Sequence, residues 1–278
     1  MIHYLSAGCI FRDEFRYMRE WVEFHRLVGV EHFYMVCNDD RVEPAREFLA
    51  DYIQAGLIDL YHLPKNDANS QQIQAYRMVI SEARSKWVAI IDMDEFLFSP
   101  ICDDVREVLS DYERYGAVCI NWACFGSGGH LYPVSLQTQE LVRRAHDTDL
   151  VNCYVKSVID PSRTVAPLNA HTFRHDPSYP AVDEFDQPIV PGRCTNPHPQ
   201  FFGRRLRINH YRVRSYLDFL HKLKRWSGEH IQLRGAEDSQ KYWASEDRNE
   251  CLDTTLLRFG DRLREALRRA GPTPRLRP

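Results

Sequence analysis

Trp87-Val88-Ala89-Ile90-Ile91 is an unbroken apolar run that ends in Asp92-Met93-Asp94-Glu95. Such a run marks a strand buried on both faces, as in the middle of a parallel sheet. Upstream of it, residues 70–85 read as a helix and 57–62 (LIDLYH) as a short strand. A helix over 44–55 opens with Pro44, a favoured first helical position. Residues 31–37 (EHFYMVC) form a strand that ends in Asn38-Asp39-Asp40. Met18, Trp21, Val22, His25 and Val28 recur at three- and four-residue steps, which predicts a helix over 14–28. Residues 2–10 read as the first strand. This alternation predicts an α/β fold, a Rossmann-like doubly wound and mostly parallel sheet. Ligands of such sheets bind beyond the carboxyl ends of the strands. Both acidic clusters, 38–40 and 92–94, fall there.

Downstream, residues 101–115 read as a helix and 117–124 (AVCINWAC) as a strand leading into the Gly-rich loop Phe125–His130. Strands are expected at 151–159, 163–168 and 206–211, and helices at 215–227 and 251–270. Residues 176–200 hold six prolines and read as a long loop. The sheet domain is expected over 1–212, split near residue 100, with a helical extension over 213–278.

The 278 residues are 44% hydrophobic and 27% charged, which excludes wholesale disorder. A net charge of −3 and a pI near 6.5 argue against a nucleic-acid partner. The charge is segregated. Residues 203–278 hold 18 Lys+Arg and 10 Asp+Glu, whereas residues 1–202 hold 18 and 29. An acidic body suits divalent cations, and a basic quarter suits phosphate or an anionic membrane; plain solvated surface is the simpler account. The eight cysteines form no CxxC, so reduced thiols and a cytoplasmic protein are expected. The start lacks the pattern of a signal peptide, and no 18-residue apolar run occurs.

Asp92-x-Asp94 is the sharpest chemical signal. On a strand, two carboxylates two positions apart point the same way and repel unless a cation sits between them. Mg²⁺ and Mn²⁺ favour such oxygens together with substrate phosphates. His210, after an apolar strand, is the candidate third ligand. The bland alternative is a pair of helix caps and a hydrogen-bonded histidine. Gly126–His130 is neither GxxxxGK[ST] nor GxGxxG, so P-loop and dinucleotide readings fail. A dehalogenase-type phosphatase is disfavoured by Phe96 and by the late position of the motif, and no GxSxG is present.

Taken together, several stretches resemble one family. Arg12-Asp13-Glu14, Glu20-Trp21-Val22-Glu23-Phe24-His25, Gly29-Val30 and His32-Phe33-Tyr34 are similar to the opening of glycosyltransferase family 2-like and family 92 proteins. Trp87–Leu97 resembles their WxxxxDxDEFL; Trp122, Phe125–His130, Lys156-Ser157, His171 and Asn209-His210-Tyr211 extend the likeness over residues 9–211. The resemblance implies a GT-A fold, a nucleotide-sugar donor, and Mn²⁺ or Mg²⁺ on Asp94 and Asp92, with His210 on the metal or phosphate. It places Glu14, Asn38 and Asp39 toward the nucleoside, and Trp122, Gly128, Gly129 and His130 beside the donor sugar and acceptor. Arg12-Asp13 and Cys37–Asp40 depart from the family pattern, which leaves the nucleotide open.

These residues predict a metal-dependent glycosyltransferase. It would move a sugar from a nucleotide-sugar, a UDP-sugar first, to a hydroxyl of a glycan or lipid-linked acceptor, in surface-polysaccharide synthesis. The resemblance implies inversion, which needs a base; the candidates are Glu140, His171, Asp183 and Glu184. Two competing readings are a metal-dependent nucleotidyltransferase and a non-catalytic sugar-binding protein. In the last helix, Leu252, Leu256, Phe259, Leu263 and Leu267 form a stripe flanked by arginines. Docking on the catalytic domain or on a second subunit is its first reading, and peripheral contact with the inner face of a membrane is the second.

Overall fold

The computed structural model describes residues 2–66, 70–196, 203–226 and 236–271. Its strands are β1 (His3–Phe11), β2 (His32–Cys37), β3 (Ile58–His62), β4 (Ser85–Ile90), β5 (Glu95–Phe98), β6 (Ala117–Cys124), β7 (Arg143–Arg144), β8 (Val155–Ile159), β9 (Thr164–Pro167), β10 (Phe173–His175), β11 (Ala181–Val182), β12 (Arg207–His210) and β13 (Cys251–Leu252). Its α-helices are α1 (Phe15–Leu27), α2 (Glu43–Phe48), α3 (Ala50–Gln54), α4 (Gln71–Glu82), α5 (Val105–Leu109), α6 (Gln137–Glu140), α7 (Tyr216–Trp226), α8 (Ala236–Glu246) and α9 (Gly260–Arg269).

One sheet runs β3-β2-β1-β4-β8-β6-β12-β5, with β11 also paired to β6. Neighbours pair in parallel except at β8 and β5, whose pairings are antiparallel. This is the mostly parallel GT-A arrangement that the sequence implied. The carboxyl ends of β1, β2, β4, β6 and β12 therefore share one edge, and β8 starts at that edge. Gly8 lets α4 lie close on β1, since a Cβ there would strike Val79.

Several boundaries differ from expectation for local reasons. The helix of 101–115 shrinks to α5 because Asp104 caps it by accepting the Arg106 amide. A 3₁₀ turn over Ser110–Tyr112 follows. The helix of 44–55 is broken into α2 and α3 at Leu49. The helix of 251–270 begins only at Gly260, because Cys251–Leu252 pairs with β7 and Thr255–Phe259 forms a 3₁₀ turn. Strand β5 and helix α8 were not anticipated. The Pro-rich loop is described to Asn196 and contains β11; residues 197–200 and 227, and the end of the extension from 272, lie outside the described residues.

The apolar stripe near the C-terminus docks on the protein. Leu256, Phe259 and Leu263 are buried in the main core, and the Phe259 ring packs edge-on against Phe24 of α1 at 5.4 Å. Leu252 lies apart from them, exposed on β13. Among the described residues, no helix is long and apolar enough to cross a membrane.

Candidate active site

Asp92 and Asp94 do not lie on a strand. β4 stops at Ile90, and the Glu95 amide donates to Asp92 O at 3.0 Å, closing a turn. The Asp92 amide donates to Glu95 Oε2 at 2.7 Å. Trp21 Nε1 on α1 donates to both Asp92 O and Glu95 O. These contacts use the backbone groups that a continuing strand would have paired. The chain then returns as β5, antiparallel to β12, so Glu95 stands opposite His210.

The two carboxylates face different partners. Lys156 Nζ of β8 donates to Asp92 Oδ2 at 2.8 Å, while Gln72 and Tyr76 of α4 donate to Asp92 Oδ1 at 3.3 Å. Lys156 also lies 3.6 Å from Glu95 Oε2, and its side chain is 1% exposed. Burial alone would lower the Lys156 pKa; Asp92 and Glu95 more than offset it and hold it well above the usual lysine value. Burial, with Asp92 and Asp94 adding to it against Lys156, pushes Glu95 well above the usual carboxylate range.

Asp94 Oδ2 accepts from Lys222 Nζ of α7 at 2.6 Å, and Asp94 Oδ1 faces His210 Nε2 at 3.5 Å. Burial would raise the Asp94 pKa; Lys222, then His210 and Arg214, outweigh it and hold the carboxyl well below its usual range. Arg214 has a left-handed backbone (φ 56°) and buries its guanidinium under the turn. It donates to Met93 O, Gln137 Oε1 and Glu14 Oε1.

Aromatic rings flank this pair. Trp122 of β6 lies 4.2 Å from the His210 ring, 5.3 Å from His171, and 5.3 Å from Tyr154, on which it stacks. Trp122 Nε1 and His210 Nδ1 are buried and, among the described residues, have no hydrogen-bond partner. His171 Nδ1–H donates to Val155 O at 2.8 Å. Burial, reinforced by Lys156, lowers the His171 pKa to about 4, so its imidazole is neutral at pH 7.

The remaining candidates occupy other surroundings. Asn38 donates to Leu63 O, and Asp39 accepts from the Asp13 amide, both at the carboxyl end of β2. In the Gly-rich loop, the Ser127 and Gly128 amides donate to Asp247 and Asn249, and the Gly129 amide to Ser127 Oγ. A Cβ at Gly126 would strike the Arg248 carbonyl, so that glycine admits a protein segment. His130 O accepts the Tyr216 amide and so ties the loop to the start of α7. Glu140 accepts the Ser135 and Leu136 amides. Asp183 accepts the Phe185 and Gln187 amides. Glu184 accepts four backbone amides from Gly203 to Leu206. Of the four base candidates, His171 is the one whose ring packs against Trp122.

Sequence reasoning gave no role to Lys156, Lys222, Arg214 or Tyr154. A signal was present for two of them. Lys156 breaks the apolar pattern of a strand that is buried throughout, and Lys222 falls on the apolar face of α7 with Phe219 and Leu223.

A doubly wound sheet with an acidic turn, a histidine and aromatic rings gathered at its carboxyl edge defines an α/β protein of the ligand-binding class. The chain belongs to glycosyltransferase family 92, whose family model matches residues 8–187. A glycosyltransferase family 92 protein of Oryza sativa subsp. japonica is 25% identical over 133 residues, which is 46% of this chain and 22% of that one. The chain thus spans about a fifth of the length of that curated relative. Among solved structures, S. aureus TarS 1–349 is similar with a TM-score of 0.40 and 9% identity, over 87% of this chain and 78% of that one. The same TarS fragment in complex with UDP gives 0.35 and 10%, over 57% and 47%.

Proposed function

We propose that this chain is a glycosyltransferase that moves a sugar from a nucleotide-sugar, a UDP-sugar first, to the hydroxyl of a glycan or lipid-linked acceptor, with inversion. The observation that carries the reading is the gathering of Asp94, His210, Trp122 and His171 at the carboxyl edge, in a chain of family 92.

Among the described residues, no three His, Cys, Asp or Glu side chains gather in a metal-sized cluster. The donor set still fits Mn²⁺ or Mg²⁺, which take one or two protein ligands and complete their shell with phosphate and water. Asp94 Oδ1 and His210 Nε2 lie 3.5 Å apart, near enough for one ion to be held by both. Asp94 and His210 would hold the ion, whereas both oxygens of Asp92 are engaged by Lys156, Tyr76 and Gln72. Such an ion supplies charge that stabilises the departing nucleoside diphosphate.

The chain's own groups do the rest. Lys222 stands beside Asp94 as a second positive charge for the leaving group. His171 keeps its proton on Nδ1, so Nε2 offers a lone pair. The acceptor oxygen attacks the anomeric carbon, its proton passes to His171 Nε2, and the bond from that carbon to the diphosphate oxygen breaks.

Calorimetric titration of UDP, GDP and CDP, each with and without Mn²⁺, tests the reading on wild type and Asp94→Ala. The expected result is Mn²⁺-dependent UDP binding that weakens at least about tenfold in the variant, equivalent to ~1.4 kcal/mol. Binding of none of the three, or binding indifferent to both Mn²⁺ and Asp94, would sink the metal-dependent donor site.

A further inference from the structure

We propose that Tyr154 is the stacking platform for the donor's sugar ring, and that Trp122 Nε1 and His210 Nδ1 receive one of its hydroxyls. The inference rests on the nucleotide-sugar reading and deepens it.

Tyr154 is fixed from two sides. Its carbonyl accepts the Trp122 amide at 2.9 Å, and its backbone bridges to Thr195. One face of its ring stacks on Trp122 with an interplanar angle of 19°. The His171 ring lies 5.6 Å away, and the residue nonetheless remains 37% exposed, so the tyrosine offers an aromatic surface to a ligand. A pyranose presents an apolar face of C–H groups between equatorial hydroxyls, and amphipathic aromatic rings suit that mixture.

The polar half of the subsite comes from two orphaned nitrogens. Trp122 and His210 are each 6% exposed, and their rings lie 4.2 Å apart. Among the described residues, Trp122 Nε1–H finds no acceptor and His210 Nδ1 no hydrogen-bond partner. Buried polar atoms are rarely left so, because an unmade hydrogen bond leaves the group's lost hydration uncompensated. A sugar hydroxyl both accepts and donates, so one hydroxyl satisfies the indole and either tautomer of the imidazole.

Sheet order selects the sugar over the nucleobase for this place. Asn38 and Asp39 end β2, the acidic turn follows β4, and Trp122 lies on β6, in the order β2-β1-β4-β8-β6. At ~4.8 Å per strand, β2 and β6 are about 19 Å apart, with the acidic turn between them. A nucleoside at β2 and a diphosphate at Asp94 put the sugar at β6.

The test compares nucleotides with nucleotide-sugars. Titrations of UDP, GDP, UDP-glucose, UDP-galactose, UDP-N-acetylglucosamine and GDP-mannose would be run on wild type, Tyr154→Ala, Tyr154→Phe and Trp122→Phe, with melting temperatures confirming folding. Expected is one sugar nucleotide that binds wild type more tightly than its parent diphosphate. Its Kd rises about tenfold in Tyr154→Ala and about fivefold in Trp122→Phe, the size of one lost contact of ~1–1.4 kcal/mol. Tyr154→Phe retains the affinity, and the parent diphosphate stays within about twofold throughout. Equal losses for diphosphate and sugar nucleotide would make Tyr154 a base platform and overturn the proposal. So would a diphosphate that binds while no attached sugar adds affinity. Failure of every nucleotide to bind would instead remove the donor-site reading beneath it.

Discussion

Asp92 and Asp94 are two residues apart, yet each is held by a different part of the molecule. Asp92 meets Lys156 on β8, a strand inside the sheet, and its other oxygen is held by two side chains of α4. Asp94 meets Lys222, which hangs on the helix after the last strand of the sheet and is 15% exposed. A counter-ion fixed in the core makes its carboxylate part of the scaffold. A counter-ion nearer the rim, here Lys222, which also donates to Arg212 O at 3.0 Å, could give way to another cation, which is the exchange proposed for Asp94. One short turn thus joins a fixed end to an exchangeable end, and the exchangeable end faces His210.

The largest effect that separates the two ends is expected from Lys156→Met. Removing this ammonium takes away the buried cation that Asp92 and Glu95 share, leaving Asp92 only the neutral donors Gln72 and Tyr76. Breaking such a network costs about 3–5 kcal/mol. Denaturant unfolding of the variant should show a loss of that size. A loss under about 1 kcal/mol would mean that Lys156 is dispensable and that the fixed end is not fixed by charge.

The sequence carried the fixed end far better than the exchangeable one. The apolar run 87–91 announced β4, and period alone placed β1, β2 and α1, because each of these elements buries one continuous pattern. The turn itself was misread as strand. Asp92-Met93-Asp94-Glu95 has no glycine or proline to mark a reversal, and the turn is closed by Trp21, 71 and 74 residues away. Strand β5 was missed for the same reason. His210 was legible as a polar residue ending a strand, but Lys222 and Arg214 were not, since their roles depend on where the C-terminal segment folds back. The Gly-rich loop was legible as a close approach of backbone; that the approaching partner is Arg248 depends on that same folding back.

Acid should act next on the support that the two ends share. Helix α1 supports both, through Trp21 at the turn and His25 beneath β5. His25 donates from Nδ1 to Trp21 O, and its Nε2 accepts the Leu97 amide, so it must be neutral. Burial, only partly opposed by the Trp21 hydrogen bond, lowers its pKa from 6.5 to about 3. The unfolded chain therefore binds a proton between pH 6.5 and 3 that the folded chain refuses. The stabilisation is complete above 6.5 and drains away on acidification, by up to about 1.4 kcal/mol per pH unit. Glu20 on the same helix works in the opposite sense. Burial raises its pKa from 4.5 to about 7, against hydrogen bonds from Thr138 and Gln137, so its contribution is present below 4.5 and is lost as pH rises to 7. The His25 slope is isolated by comparing wild type with His25→Gln. Their stability difference should shrink steadily from pH 6.5 to 3.5. A difference that stays constant would show that His25 takes up its proton as readily in the fold as in the unfolded chain.

The smallest effect on stability, and the sharpest on the comparison, is expected from Lys222→Met. Asp94 keeps His210 at 3.5 Å, with Arg214 close behind, so losing the ammonium should cost about 1 kcal/mol rather than the larger figure for Lys156. The functional consequence has two opposing parts. Without Lys222, Asp94 no longer has to exchange a partner, so Mn²⁺ alone should bind about severalfold more tightly. With one positive charge fewer beside the diphosphate, turnover should fall by about tenfold or more. Paramagnetic titration of Mn²⁺ and a donor-hydrolysis assay measure the two parts separately. If metal affinity and turnover both fell, Lys222 would be shaping Asp94 in the way Lys156 holds Asp92, and the two ends of the turn would be equivalent after all.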